Sequence, residues 1–183
     1  TERKKTEEML LTREAALKLR VDSLATINAI ADSVHRSPNY QEFIERATEA
    51  IMHHTQAPSV AFFVLDQEYL KLAASRGFTS STLAAGSTLP VKGSLSGLTI
   101  TQKKVITSED IFHDERLEPS VRKTLLEQGL HNVVSFPLLF QDQVLGVVNL
   151  IYAEKKSHSD EEKETLLTIG KTIGLAMVNA QRL

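Results

Sequence analysis

The chain has 183 residues, of which 42% are hydrophobic, and its formal net charge is −2. This length is enough for one globular domain with a buried core, and the near balance of charge argues against nucleic-acid binding and against binding to anionic membranes. The absence of cysteine excludes disulfides, thiolate metal sites, thiol nucleophiles and a thioether bond to a chromophore.

The chain also lacks the patterns of membrane insertion and secretion. No apolar run approaches the roughly 20 residues of a membrane-spanning helix, and no signal-peptide pattern opens the sequence. Since a lack of disulfides is typical of reducing compartments, we expect a cytoplasmic protein without membrane contact. Because the sequence starts at Thr1, inside a helical pattern, we expect it to be a fragment of a longer protein.

Residues 1–35 predict one long helix, because they are rich in good helix formers and contain no glycine or proline. Leucines recur at heptad spacing, which is the pattern of a parallel dimer. Ile27, Ile30 and Val34 fall on a neighbouring face of the helix, which could pack on a globular body. The alternative to the dimer is a single amphipathic helix that folds back on its own domain. The residues that would form the dimer seam of this helix are Leu10, Leu17, Val21 and Leu24.

The next segment predicts a helix followed by a hairpin. With Ser37 as N-cap and Pro38 as the first helical residue, the helix extends to about residue 55. An apolar run at 60–65 and a second strand pattern at 69–75 flank a short turn and predict two antiparallel strands.

Residues 77–130, between the two hairpins, predict an insert, and its first part, 77–104, is rich in serine, threonine and glycine. Within it, 94–102 predict a short helix. A short strand follows at 105–107, and 119–128 predict a helix with proline at its start and Gly129 after its end.

The strongest strand patterns lie at 133–140 and 144–152, and the three residues between them predict a second hairpin. Because both hairpins pair neighbouring strands and helices lie at both ends of the chain, we predict an α+β fold with a mostly antiparallel sheet.

A last helix is predicted from Ser159, which forms a capping box with Glu162. Gly170 and Gly174 would let this helix approach a sheet closely. Its apolar residues recur at spacings of three and four, which predicts a second dimer seam. These seam residues are Leu166, Ile169, Ile173, Ala176, Ala180 and Leu183.

The chain closely resembles a GAF domain, most clearly in its second half. Residues 132–139 match the family's apolar strand with a Phe-Pro-Leu motif, and 146–150 match its Gly-Val-Val-Asn-Leu strand. Residues 157–167 are similar to its serine-acidic-acidic helix start, and 93–98 are similar to its glycine-bracketed helix. The resemblance covers residues 22–183, which we take as the sensory domain.

A smaller resemblance lies at the start of the chain. Residues 1–8 look like the Thr-Glu-Arg-Lys segment that commonly follows a PAS domain and begins a signalling helix. The resemblance implies that 1–21 are a signalling-helix linker between an upstream PAS-like domain and the GAF-like domain. It also implies a bacterial signal-transduction protein with a downstream output domain, such as a histidine kinase or a diguanylate cyclase.

The GAF resemblance implies a central antiparallel sheet with the terminal helices on one face and a pocket-forming insert on the other. The implied function is to sense a small molecule, to form a homodimer through the terminal helices and to pass the change to the output domain. The alternative is a ligand-free module for dimerisation and relay. The candidate ligand-binding residues, any of which could instead be core, are Phe62, Val64, Ser94, Ile106, Asp110, Ile111, Phe112, Val134 and Ser135.

The known cofactors and activities of GAF domains can be compared with the residues of this chain. The comparison does not identify a ligand. The cyclic-nucleotide motif is incomplete, because no Asn-Lys pair precedes Phe112, and covalent bilin binding needs a cysteine. Haem-binding members use histidine, but His113 and His131 read as ordinary loop residues, so we expect no haem. GAF-type methionine sulfoxide reductases act through cysteines, and we see no other convincing catalytic pattern. We therefore expect no enzymatic activity in this chain.

Overall fold

The computed structural model describes residues 1–37, 39–78 and 86–181. Its strands form one sheet in the order β3-β2-β1-β6-β5-β4, and every neighbouring pair is antiparallel. The predicted α+β class and both hairpins are therefore confirmed. The elements are α1 (Glu2–His35), α2 (Tyr40–Thr55), β1 (Ser59–Asp66), β2 (Tyr69–Arg76), β3 (Thr88–Pro90), α3 (Leu95–Gln102), β4 (Ile106–Ser108), α4 (Pro119–Glu127), β5 (Asn132–Phe140), β6 (Gln143–Tyr152) and α5 (Asp160–Gln181).

The start of α2 differs from the prediction. Its N-cap is Asn39, whose side chain accepts a hydrogen bond of 2.9 Å from the amide of Glu42, and the helix begins at Tyr40. The predicted cap Ser37 therefore lies outside the helix, and Pro38 lies outside the described residues. Asparagine caps a helix as well as serine does, so the local signal fits either residue.

Helices α1, α2 and α5 cover one face of the sheet, and the main core lies between them and the strands. From α1 the core receives Ile30, with Ile27 packed at its edge, which confirms the packing predicted for these two residues. Phe43 and Ile51 of α2 lie in the same core. The half of α1 nearest the C-terminus is therefore part of the domain.

The position of α5 corrects the predicted C-terminal dimer seam. Leu166, Ile169, Ile173 and Ala176 are buried in the chain's own core, and Ala180 packs against it. A helix on a sheet buries residues at the same spacings of three and four as a helix in a coiled coil, so the pattern alone does not identify its partner. Leu183, the remaining member of this set, lies outside the described residues.

The predicted start of α5 is confirmed in part. The Ser159 hydroxyl accepts a hydrogen bond of 3.1 Å from the Glu162 amide, as an N-cap does. The Glu162 carboxylate does not complete a reciprocal capping box, because it lies 3.3 Å from Nδ1 of His158.

The N-terminal part of α1 presents the predicted seam to solvent. Leu10, Leu17, Val21 and Leu24 are each more than half exposed. The dimer that this seam would form stays a prediction. Among the described residues, none of the helices combines the length and the apolar composition that crossing a bilayer requires.

The opposite face of the sheet is covered by the insert. Helix α3, the short 3₁₀ turn Ile111–His113 and α4 supply side chains to two smaller apolar clusters there. Leu95 and Ile111 belong to the first cluster, and Phe63 and Val147 to the second. We call this surface of the sheet the insert face and the opposite surface the helical face.

Candidate functional site

The insert face contains a small polar site within an apolar surround. Asn149 Nδ2 on β6 donates a hydrogen bond of 3.0 Å to Ser96 Oγ on α3, and both residues are buried. Ser135 pairs with Asn149 across β5 and β6 and has no exposed surface. Among the described residues, its hydroxyl has no hydrogen-bond partner. A buried hydroxyl without a partner is unusual in a folded protein and is open to a ligand atom.

Local structure holds α3 firmly over this polar site. The Ser94 hydroxyl caps the helix by accepting a hydrogen bond from the Gly97 amide, and it donates to the Pro90 carbonyl at 3.0 Å. A Cβ atom added at Gly97 would lie 1.6 Å from the Val91 carbonyl oxygen, so only glycine permits this approach. The glycine-bracketed helix is therefore placed by its own cap and by backbone contact.

The structure places four of the nine predicted ligand residues on the insert side. Ser135 belongs to the polar site and Ser94 caps α3, as described above. Ile106 and Ile111 are buried in the first apolar cluster, and Ile106 pairs with Ser135 across β4 and β5. All four residues therefore lie on the insert side of the sheet, and Ile106 is next to the polar site through its pairing with Ser135.

Three other predicted ligand residues lie on the wrong face. Phe62 and Val134 are fully buried in the main core on the helical face, and Val64 packs against that core. The apolar runs on β1 and β5 are buried on both faces, so they lack the alternation that would show which residues point which way. The residues that do face the insert are their neighbours, such as Phe63 and Val133.

The last two predicted residues, Asp110 and Phe112, lie in the loop after β4. Phe112 is 59% exposed. The Asp110 carboxylate lies 2.6 Å from His113 Nδ1 and 3.0 Å from Lys155 Nζ. The hydrogen bonds from His113 and then Lys155 lower the pKa of Asp110 to about 2. Asp110 is therefore already engaged by partners within the chain.

A second acidic residue helps to fix the same loop. The guanidinium of Arg116 donates to the Asp114 carboxylate at 2.6 Å and 2.9 Å and to the Thr107 carbonyl. The hydrogen bonds from the Arg116 side chain to the Asp114 carboxylate are the largest cause that lowers the pKa of Asp114 to about 2. The bond from Arg116 to Thr107 fixes the loop against β4, which indicates a structural role for this pair.

Among the described residues, no three histidine, aspartate or glutamate side chains converge as metal ligands would.

Sequence reasoning missed Ser96 and Asn149 as site residues. Asn149 stands in the middle of an apolar strand, and Ser96 lies between the two glycines of the α3 segment. A polar residue within an apolar run is a usable signal, since a buried amide needs a partner. The partner itself is 53 positions away in sequence, so only the fold identifies it.

The fold agrees with the comparison with known proteins. The family model described as "GAF domain" matches residues 37–178. The chain belongs to the GAF domain family. GAF domains are ligand-sensing regulatory domains of signalling proteins and are in general not catalytic. A search of curated protein sequences gives no match.

Solved structures show the same GAF fold at low sequence identity. The GAF domain of a phosphoenolpyruvate-protein phosphotransferase from Coxiella burnetii has a TM-score of 0.76 at 19% identity, over 88% of this chain and 96% of that one. The corresponding Acinetobacter domain has a TM-score of 0.73 at 16% identity, over 87% and 95%. The free methionine-R-sulfoxide reductase from Neisseria meningitidis has a TM-score of 0.72 at 12% identity, over 87% and 90%.

Proposed function

We propose that this GAF domain senses a small polar molecule on the insert face. The observation that carries the proposal is the set of Ser96, Asn149 and Ser135, buried between α3 and the sheet. The hydroxyl of Ser135 can form a hydrogen bond with a ligand, because no group in the described part of the chain occupies it. A ligand there would need a donor or acceptor group and a compact shape, because apolar side chains surround the three residues.

The proposal includes a homodimer formed through α1. The exposed residues Leu10, Leu17 and Leu24 recur every seven positions, as the seam of a parallel coiled coil does. A dimer would remove this stripe from water, which is favourable for apolar side chains. Leu166, Ile169, Ile173 and Ala176 have no part in it, because they are buried in the chain's own core.

Signalling would then follow from a shift in how the helices pack. α3 contacts β5 and β6, and α5 lies on the opposite face of these strands. A ligand beneath α3 that favours one arrangement of the sheet would change the packing of α5. We infer that α5 passes this change to an output domain in the parent protein, such as a histidine kinase or a diguanylate cyclase, and that α1 receives input from a PAS-like domain. The setting that we propose is the bacterial cytoplasm.

A second candidate function is a ligand-free relay that only dimerises and transmits. The observation in its favour is that the insert face is well filled by its own side chains, including Leu95, Ile111 and Phe63. In that case the polar site serves to fix the position of α3, and the domain acts as a rigid connection between α1 and α5.

Native mass spectrometry and methyl NMR distinguish the two functions. The protein is purified without denaturant, searched for a co-purified small molecule and then titrated with a library of small polar compounds. Sensing predicts that a ligand shifts the methyl signals of Ile106 and Ile111. The relay function predicts that no compound moves them.

A pair of variants tests whether the ligand binds at Ser135. Ser135→Ala removes the unpartnered hydroxyl and should weaken ligand binding about three- to tenfold, the value of one hydrogen bond. Its stability should hardly change, because no protein bond is lost. Ser120→Ala, at an exposed position on α4, is the matched control and should bind normally. Equal affinity in both variants would contradict the proposed site.

A further inference from the structure

A second cavity lies on the helical face, on the other side of the sheet from the insert. It has a volume of about 470 Å³ and is bounded by α1, the end of α2, the end of β6 and the start of α5. Its volume is within the range of small-molecule sites, which is roughly 300–1,000 Å³. The cavity therefore lies between the two terminal helices, α1 and α5, whereas the insert-face site is formed by α3, β5 and β6.

The floor of this cavity is apolar. Leu150 of β6 and Leu166 and Ile169 of α5 line it, and all three are buried in the main core. One polar bond crosses from helix to helix beside them, since Thr165 Oγ1 of α5 donates to Ser23 Oγ of α1 at 3.0 Å. A ligand body placed here would contact apolar groups below and both helices at its sides.

The charged groups of the lining are mainly acidic. Asp22, Glu161 and Glu162 line the cavity together with a single lysine, Lys156. The Lys156 ammonium lies over the ring of Tyr152, 4.8 Å from its centre. Three carboxylates against one ammonium leave an excess of negative charge around the cavity.

Two of these carboxylates have no partner of opposite charge. Glu162 contacts His158. Within the described residues, 1–37, 39–78 and 86–181, neither Asp22 nor Glu161 forms an ion pair. Asp22 lies on α1 and Glu161 on α5, on the two sides of the cavity. A cation between them would be attracted by both, whereas an anion would be repelled.

We propose that this cavity binds a small organic cation, an ammonium group on a compact apolar body. The apolar body lies on Leu150, Leu166 and Ile169, and the ammonium lies between Asp22 and Glu161. Such a ligand bridges α1 and α5 and stabilises one packing of the two helices. The inference does not depend on the insert-face ligand, because the two sites share no residue.

The test uses 2-phenylethylamine, with 2-phenylethanol and phenylacetate as neutral and anionic controls of similar shape. Methyl NMR of the whole chain follows Leu150, Leu166 and Ile169 for this cavity and Ile106 and Ile111 for the insert face. We expect the amine to shift the first group only, and to bind at least about tenfold more tightly than either control, a difference of ~1.4 kcal/mol.

Matched double variants test the role of the two carboxylates. Asp22→Asn with Glu161→Gln should weaken amine binding by about tenfold or more. Asp32→Asn with Glu164→Gln removes the same charges from exposed positions on the same helices and should leave binding unchanged. Circular dichroism verifies that both proteins are folded.

Several results would overturn the proposal. One is equal binding of amine, alcohol and carboxylate, and another is the absence of binding by any of them. Movement of the Ile169 signals on dilution alone, with no response to the amine, would show that a second copy of the chain covers the cavity. Movement of the Ile106 and Ile111 signals by the amine would place it on the insert face, in support of the proposed function and against this site.

Discussion

Gly174 sets how closely α5 lies on the sheet. A Cβ atom there would be 2.1 Å from the Leu139 carbonyl oxygen and 2.8 Å from its amide nitrogen. Gly170 makes the same kind of approach to Pro137, at 2.0 Å. Both contacts are with backbone, which has little freedom to move aside. The prediction that these glycines permit close packing is confirmed.

Gly174→Ala should therefore destabilise the domain, although alanine is the better helix former. The clash should lower the free energy of unfolding by about 1–3 kcal/mol, as overpacking of a core does, against a gain of at most ~1 kcal/mol in helix propensity. Urea denaturation measures the difference. Lys171→Ala, at an exposed position on the same helix, should leave stability nearly unchanged. A more stable Gly174→Ala variant would contradict the close approach.

His158 is the buried titratable residue beside the helical-face cavity. Its side chain is 3% exposed, and its Nε2 lies 3.2 Å from Asn132 Oδ1. Burial lowers its pKa, while the nearby Glu162 carboxylate acts in the opposite direction. Because the unfolded chain takes up a proton near pH 6.5 more readily than the folded one, stability rises with pH in this range.

The free energy of unfolding should accordingly fall as the pH is lowered from about 7 to about 5. His158→Gln should reduce this slope, since glutamine keeps a donor for Asn132 but does not titrate. His54 also has a pKa lowered by burial, so part of the slope should persist. An unchanged slope in His158→Gln would show that the ring is not held neutral.

At the scale of elements, α1 has two parts with different surroundings. Ile30 near its C-terminus is fully buried in the main core. Leu10 and Leu17 near its N-terminus are more than half exposed and touch no other element of the core. One helix thus continues from the packed domain into a segment whose apolar stripe is not covered by any of the residues that the structure describes.

Replacing Leu17 and Leu24 by lysine should abolish the proposed dimer, because four like charges would meet in one seam. Light scattering should give the mass of two chains for the unmodified protein and of one chain for the variant. Leu175→Lys is the matched control, since Leu175 is an equally exposed leucine on α5. A wild-type protein that stays monomeric at high concentration would contradict the dimer.

In the molecule as a whole, the sheet separates two packed layers. The helical face contains the main core and the 470 Å³ cavity, and the insert face contains the polar site around Asn149. α5 and part of α1 belong to the first layer, and α3 to the second. The strands β5 and β6 contact both α3 and α5 and are a direct connection between the two layers.

Two truncations should separate the domain from its linker. Removal of residues 1–17 should change the free energy of unfolding by no more than ~0.5 kcal/mol, because these residues lie outside the core. Removal of 1–36 deletes Ile27 and Ile30 and should lower it by about 2–5 kcal/mol. Urea denaturation under monomeric conditions measures both values. Equal stability of the two truncated proteins would show that α1 is not part of the folded domain.

The candidate site was only partly predictable from sequence. Ser94 and Ser135 were identified on the correct side of the sheet, and the glycine-bracketed helix was placed correctly. Phe62 and Val134 were assigned to the wrong face, because an apolar run that is buried on both sides carries no alternation.

The short strand β3 was not predicted, whereas the other helices and strands, the antiparallel hairpins and the close approach of α5 follow from local sequence patterns. These depend on turn residues, caps and glycines, whose effects act within a few positions along the chain. Two features are visible only in the three-dimensional contacts: α5 packs on its own sheet, and Ser96 forms a hydrogen bond with Asn149. A spacing of three and four residues suits a sheet and a partner helix equally, so the contact itself had to resolve the choice.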